Sequence, residues 1–198
     1  MTSNGRAGGA RARARQAMRV QVAAIAVELI MAKGYAETTV DDICAAAEIS
    51  RSTFFRYFPT KDDALFGLAD DTSERLLAAL VGRPSGEKPW VAMRRALDPW
   101  IEDIAAGGEH ARSLAHLIAN TPALAARHRD KNALWCEVLR PEMARRLDAD
   151  PAIASDPRPA AVITAAFGCF DAAIAAWTSS DQPQPLSELL DRAMAAVG

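Results

Sequence analysis

Between Gln16 and Lys33 the apolar residues Val20, Ala24, Val27 and Met31 recur three or four positions apart, the period of one helix face. Gly34 follows where a helix C-cap belongs. Thr38-Thr39-Val40-Asp41-Asp42 then offers two overlapping capping boxes, Thr38 with Asp41 and Thr39 with Asp42. They open a short helix whose Val40, Ile43, Cys44 and Ala47 share a face. Ser50 is a good N-cap for a second short helix, which Pro59 ends. Thr60 with Asp63 makes a further box, predicting a longer helix to about Leu80. Two very short helices joined by a turn of a few residues have helix-turn-helix spacing.

GRPSGEKP (82–89) is the strongest interruption in the pattern and reads as a linker. After it, five helical segments are predicted, roughly 90–106, 109–119, 122–148, 158–179 and 185–197. Pro141 falls inside the third and should kink or divide it. Val-rich alternating stretches are missing, so the fold expected is all-α. The longest apolar run, Ala160 to Trp177, contains Asp171 and is Ala-rich, which makes it weak as a bilayer span. With no apolar signal segment at the start, the expectation is a cytoplasmic protein. Cys44, Cys136 and Cys169 are odd in number and far apart, so neither a disulfide framework nor a zinc ribbon is indicated.

Charge sharpens this picture. Residues 1–61 carry nine Lys/Arg against five Asp/Glu, whereas the remainder carries 14 against 20. A basic N-terminal third on an acidic body suits contact with a polyanion at that end only. Residues 1–15, MTSNGRAGGARARAR, lack apolar periodicity and read as a disordered basic arm. Its Arg6, Arg11, Arg13 and Arg15 fit either a DNA groove or a solvated tail.

The second short helix concentrates aromatics. ISRSTFFRYFPTK (49–61) holds Phe54, Phe55, Tyr57 and Phe58, four of the chain's 12 aromatic residues. On a helical wheel Phe54 and Phe58 fall together, while Ser52, Thr53, Arg56 and Tyr57 fall opposite, with Arg51 and Phe55 on the flank. Phe54 and Phe58 therefore anchor the helix. The Ser/Thr/Arg/Tyr face is either solvated or suited to base edges and phosphates.

TTVDDICAAAEISRSTFFRYFPTKDDALF (38–66), with the preceding helix and the Gly34-to-Thr39 step, resembles the DNA-binding signature of TetR-family transcriptional regulators. The resemblance implies an all-α chain: a helix-turn-helix domain over 16–66 and a helical effector-binding and dimerisation domain over 67–198. It implies a homodimer on a palindromic double-stranded DNA operator, with Ser50 to Phe58 entering the major groove. Arg51, Ser52 and Thr53 would lie nearest the bases; Tyr57 and Lys61 would hold phosphates, with Thr39 contributing at the N-terminus of its helix. Phe55 and Arg56 complete the expected DNA-binding set. In two places the chain departs from the family pattern: Glu48 stands where Gly is usual in the turn, requiring another backbone solution or a strained positive φ, and Phe55 stands where Tyr is common.

For the C-terminal domain the resemblance implies a small-molecule effector. Trp100, Ile104, Leu117, Trp135, Leu139 and Phe167 form a reasonable apolar pocket set, with His116 and Asn120, one turn apart, supplying its polar group. These residues also suit an ordinary core. LAHLIANTPALAARHRDKNALW (114–135) is similar to a subgroup whose effectors are acyl-CoA-like. That similarity would put Arg127, His128, Arg129 and Lys131 near a phosphate; as a charge run they equally suit a solvated helix face. Asp171, inside the small-residue helix 158–179, is expected to pair or cap a polar spot, and the last two helices to form the dimer surface. No cofactor or metal is expected. G-x-S-x-G, H-E-x-x-H, P-loop and G-x-G-x-x-G patterns are all missing, which argues against an enzyme. A small helical enzyme or metal-binding protein, and a ligandless DNA binder, remain the alternatives.

Overall fold

The computed structural model describes residues 4–69, 72–180 and 184–198, and of residues 4–12, 68 and 69 the backbone only. Its described residues are helical, with no strand among them. The chain divides into two compact units, residues 1–70 and 71–198.

The first unit contains α1 (Asn4–Lys33), α2 (Val40–Ala46), α3 (Arg51–Tyr57), α4 (Lys61–Leu65) and a 3-10 turn over Phe66–Ala69. Its core joins Val22, Ala23 and Ala26 of α1 to Ile43 and Cys44 of α2, then to Phe54, Phe58 and Ala64. The buried face of α1 is thus 22/23/26/27/30, and Val20 and Ala24 are exposed. Ala-rich sequence offers two adjoining apolar stripes, and the one with Ile30 and Val22 wins the core. Gly34, at φ +93°, ends α1 as expected, its N–H donating to the Ile30 carbonyl at 2.9 Å.

Helix also reaches further toward the N-terminus than the sequence suggests. The arm expected to be disordered is part of α1, which begins at Asn4. Residues 10–15 are Ala and Arg only, both strong helix formers, so a helix nucleated downstream extends through them at little further cost. Gly5, Gly8 and Gly9 ahead of them are poor helix formers, and propensity does not explain the helix there. Met1 to Ser3 lie outside the described residues. The helix expected from Thr60 to Leu80 is instead α4, the 3-10 turn and α5, which starts at Thr72. Gly67 permits the tight approach there: a Cβ at that position would lie 2.7 Å from the Phe58 ring.

The second unit holds α5 (Thr72–Val81), α6 (Pro89–Ala96), α7 (Asp98–Ala106), α8 (Gly108–Asn120), α9 (Pro122–Arg146), α10 (Arg158–Ser179) and α11 (Leu186–Ala195). The segment predicted over 90–106 is broken at Leu97, because Pro99 belongs to the first turn of a new helix. Pro141 does not divide α9, which runs on through it. The 82–89 stretch is not a free linker but a tied loop inside this unit. Arg83 grips Glu87 through two bonds of 2.7 and 2.8 Å, and Arg146 donates to the carbonyls of Leu80, Arg83 and Pro84. That guanidinium satisfies carbonyls that the end of α5 leaves over.

The long helix α10 is apolar enough, by length and composition, to cross a bilayer, contrary to the sequence estimate. Its Ile163, Phe167, Phe170 and Trp177 are nevertheless buried by protein. They pack where α10 meets α6, α8, α9 and α11.

Candidate nucleic-acid interface

The recognition segment is built from its caps outward. Thr39 forms a full capping box with Asp42: the Asp42 N–H donates to Thr39 Oγ1 at 3.1 Å, and the Thr39 N–H donates to Asp42 Oδ2 at 2.9 Å. Of the two possible boxes only this one forms. Thr38 is buried, its hydroxyl donating to the Gly34 carbonyl at 2.9 Å. The Thr39 hydroxyl bond, with the Lys33 ammonium at 2.9 Å, holds the Asp42 carboxyl well below the usual carboxylate range. Ser50 caps α3, accepting from the Thr53 N–H at 3.1 Å.

Between these helices the chain turns at Glu48, which stands at φ +53°. The Ile49 N–H reaches back to the Cys44 carbonyl at 3.0 Å, and the Glu48 N–H to Ala45 at 3.3 Å. This is the bond pattern of a Schellman motif, in which the residue at positive φ is usually Gly. The turn keeps its geometry, and Glu48 adopts the strained conformation.

Phe54 and Phe58 are both 0% exposed and lie with ring centroids 5.7 Å apart, so the expected anchoring pair holds α3 to the core. Phe58 caps the helix instead of extending it. Outward stand Arg51, Ser52, Phe55 and Arg56, all exposed, with Thr53 and Tyr57 half-buried. Phe55 is 46% exposed, its ring edge-on to Phe54 at 5.4 Å. The Arg51 guanidinium donates to Asp41 Oδ1 of α2 at 2.6 Å and lies 5.7 Å from the Phe55 ring centroid.

Tyr57 collects three arginines. Arg15 and Arg56 lie 5.9 and 5.2 Å from its ring centroid, and Arg19 donates to its backbone carbonyl at 3.3 Å. Arg15 and Arg19 are one turn apart on α1, so the basic arm and the end of α3 form one positive corner. From sequence alone Arg15 belongs only to the arm; its link to Tyr57 depends on the helical extension of α1.

Lys61 is placed differently from expectation. Its ammonium donates to the carbonyls of Tyr35 at 2.6 Å and Thr38 at 2.9 Å, and sits 4.0 Å from the Tyr35 ring centroid. Two of its three donors fasten the α1–α2 loop, because two converging carbonyls are a better site for a half-buried ammonium than open solvent. Tyr35 completes the clasp by donating to Asp62 Oδ1 at 2.7 Å; burial, with Asp62 beside it, pushes its phenol up to about 12.

In the second unit the expected pocket set comes together only in part. Trp100 meets Trp135 edge-on at 5.1 Å, Trp135 meets Phe167 at 6.1 Å, and Trp100 stacks on Phe170 at 4.3 Å. Leu139 is fully buried, and Ile104 and Leu117 are half-buried. His116 and Asn120 are exposed, and Asn120 Nδ2 bonds back to the His116 carbonyl at 2.9 Å, so they face away from a sheltered site. The sheltered polar group is another: His128 Nε2 lies 2.9 Å from Asp171 Oδ1, with Asn132 bridging them at 3.3 and 3.5 Å. Asp171 therefore pairs as expected, joining α9 to α10. The spacing 128/132/135 already placed His128 and Asn132 on the Trp135 face, which charge-run reasoning overlooked. Arg129 is exposed, and Arg127 lies 4.0 Å from Asp130.

A capped helix, a tight turn and a second helix with a polar, basic outer face define a helix-turn-helix DNA-binding regulator. Residues 23–66 match the family model of bacterial regulatory proteins of the tetR family, and residues 87–198, more than half of the chain, match the MftR C-terminal domain. The chain belongs to the TetR family of transcriptional regulators. It is 30% identical to MftR of Mycobacterium tuberculosis over 174 residues, 88% of this chain and 86% of that one. With the HTH-type transcriptional regulator TcmR of Streptomyces glaucescens it shares 34% identity over 126 residues, 61% of this chain but only 56% of TcmR. Among solved structures, FadR of Thermus thermophilus, a TetR-family repressor in complex with lauroyl-CoA, superposes with a TM-score of 0.58 at 23% identity, covering 89% of this chain and 91% of that one. SmeT in complex with triclosan gives a TM-score of 0.62 at 16% identity, covering 91% of both. At these identities the structural likeness shows the fold alone.

Proposed function

We propose that this protein is a cytoplasmic homodimeric repressor that reads a palindromic operator with α3 and leaves it when a small apolar effector binds the second unit. The observation that carries the reading is the outer face of α3. Arg51, Ser52, Phe55 and Arg56 are exposed there on a helix fixed from below by Phe54 and Phe58 and capped by Ser50. Arg51, Ser52 and Thr53 face the bases. Arg56 and Tyr57, with Arg15, meet phosphates, and Thr39 presents the N-terminus of α2 to the backbone. Lys61 supports this surface by holding its loop, with one donor left for a phosphate.

Two copies associate through α10 and α11. On α10 the exposed residues Ala161, Thr164, Gly168, Ala172 and Ala175 are all small and follow helical spacing, which lets a twofold mate approach closely. The effector enters beside Trp100, Trp135, Phe167 and Leu139, with His128, Asn132 and Asp171 as the polar determinants in place of His116 and Asn120. An acyl-CoA-like effector suits the apolar wall, and the lauroyl-CoA complex of a protein of the same fold supports that class. Release follows if the effector binds the DNA-incompetent state more tightly than the competent one.

Titrating lauroyl-CoA into the complex of the protein with a labelled duplex tests the effector. Anisotropy falling to that of free DNA, with half-release unchanged by an equal amount of free CoA, is the expected result. Undiminished anisotropy at saturating lauroyl-CoA removes the acyl-CoA class from the account.

A further inference from the structure

We propose that Arg51 reads a guanine in each operator half-site, and that Asp41 of α2 is the positioning residue that sets its pose. The inference rests on the DNA-binding reading above and adds the base and the residue that orients its reader. Arg51 opens α3, and its Nη1 donates to Asp41 Oδ1 at 2.6 Å. Its guanidinium carbon lies 5.7 Å from the centroid of Phe55, which is itself braced edge-on against buried Phe54.

The side chains of Arg51 and Asp41 are 60% and 66% exposed, so the ion pair contributes little to stability. Its consequence is orientation. One corner of the guanidinium is pinned, and its carbon lies within cation–π range of the Phe55 ring. Among the described residues the Nε–Nη2 edge has no partner, and two parallel donors at that spacing match O6 and N7 of guanine in the major groove. Asp41 lies in the first turn of α2, where its charge also suits the helix dipole, yet it stands on a surface that meets phosphates. A carboxylate there repels DNA, and the capping of α2 is done by Asp42 and Thr39.

The test is selection from random duplexes with the full-length wild type, Arg51→Lys and Asp41→Asn, followed by anisotropy on the selected duplex. That duplex is made with guanine, 7-deazaguanine or adenine at the selected position, and thermal melting confirms that each variant is folded. Wild type is expected to select one guanine per half-site and to lose on the order of 10- to 100-fold in affinity for either replacement. Arg51→Lys, which keeps the charge but not the paired donors, should flatten that preference. Asp41→Asn should bind random DNA as tightly as wild type or more tightly, yet discriminate less between guanine and adenine. A purely structural role for Asp41 would not separate these two readouts.

If Arg51→Lys leaves the base preference intact, the guanine assignment is overturned. The same follows if it weakens every sequence about equally, which marks a phosphate contact. An unchanged preference in Asp41→Asn overturns the positioning role. Should wild type select no sequence at all, the DNA-binding reading fails first and this inference falls with it.

Discussion

The Ile49 N–H lies 3.0 Å from the Cys44 carbonyl oxygen, and closing that bond across the turn holds Glu48 between them at φ +53°. A non-glycine residue in the left-handed region costs about 1–2 kcal/mol, partly offset because glycine has more backbone entropy to lose, about 0.5–1 kcal/mol. Glu48→Gly is therefore expected to stabilise the first unit by about 0.5–1 kcal/mol without altering its hydrogen bonds. Both tyrosines lie in residues 1–70 and all four tryptophans beyond them, so near-ultraviolet tyrosine signals report this unit selectively. A lower midpoint in urea for the variant would mean the turn is not the strained one described.

Thr39→Ala removes both the acceptor for the Asp42 N–H and the hydroxyl donor to its carboxylate. The expected loss is about 1 kcal/mol, seen as faster amide exchange in α2 before α1. The pH dependence has a definite sign. Asp42 has its carboxyl depressed in the folded chain, first by the Thr39 hydroxyl and then by Lys33. Its contribution is complete above the ordinary Asp range, near pH ~4, and is lost as pH falls below it. Wild type and Thr39→Ala should thus differ most near neutrality and less in acid, where only the Asp42 N–H bond to the Thr39 hydroxyl remains. Parallel stability curves down to the lowest pH would contradict the box.

Lys61 distinguishes a structural clasp from a DNA contact. Lys61→Met loses the bonds to the Tyr35 and Thr38 carbonyls, so the melting temperature of the first unit should drop by several degrees, corresponding to about 1–3 kcal/mol. A variant of unchanged stability whose salt slope for DNA falls by about 1 would instead identify Lys61 as a phosphate ligand.

Trp135 is 6% exposed and touches Trp100 and Phe167. Trp135→Ala should destabilise the second unit by about 3–5 kcal/mol, detectable through the fluorescence of the remaining tryptophans. A variant of wild-type stability that loses only effector binding would show that the ring lines a cavity and is not core.

Much of this was legible from sequence because local rules and the core agree over residues 38–58. Ser50 and the Phe54/Phe58 pair each have one favourable arrangement and adopt it, while of the two arrangements open to the capping box and to Glu48 the chain takes the Thr39–Asp42 box and the positive φ. Legibility failed where several arrangements were nearly equal. In Ala-rich α1 neighbouring stripes differ by only a few methyl groups, so the buried face was assigned one stripe away. The Ala/Arg run over residues 10–15 lacks periodicity yet has high helix propensity, and propensity continued the helix there. Long-range polar pairings such as Lys61 with Tyr35, Arg51 with Asp41 and His128 with Asp171 leave no periodic trace and emerge only once helices are packed.

The central claim is that the outer face of α3 reads DNA. Anisotropy of a labelled duplex from the region upstream of the protein's own reading frame, against a scrambled duplex at two salt concentrations, tests it most directly when wild type is run beside Arg56→Ala with Tyr57→Ala. The account predicts tight, salt-dependent binding to the native duplex, weaker binding to the scrambled one, and loss of both in a double variant whose first unit melts as wild type does. Binding that is equal for both duplexes and unchanged in the double variant would contradict it.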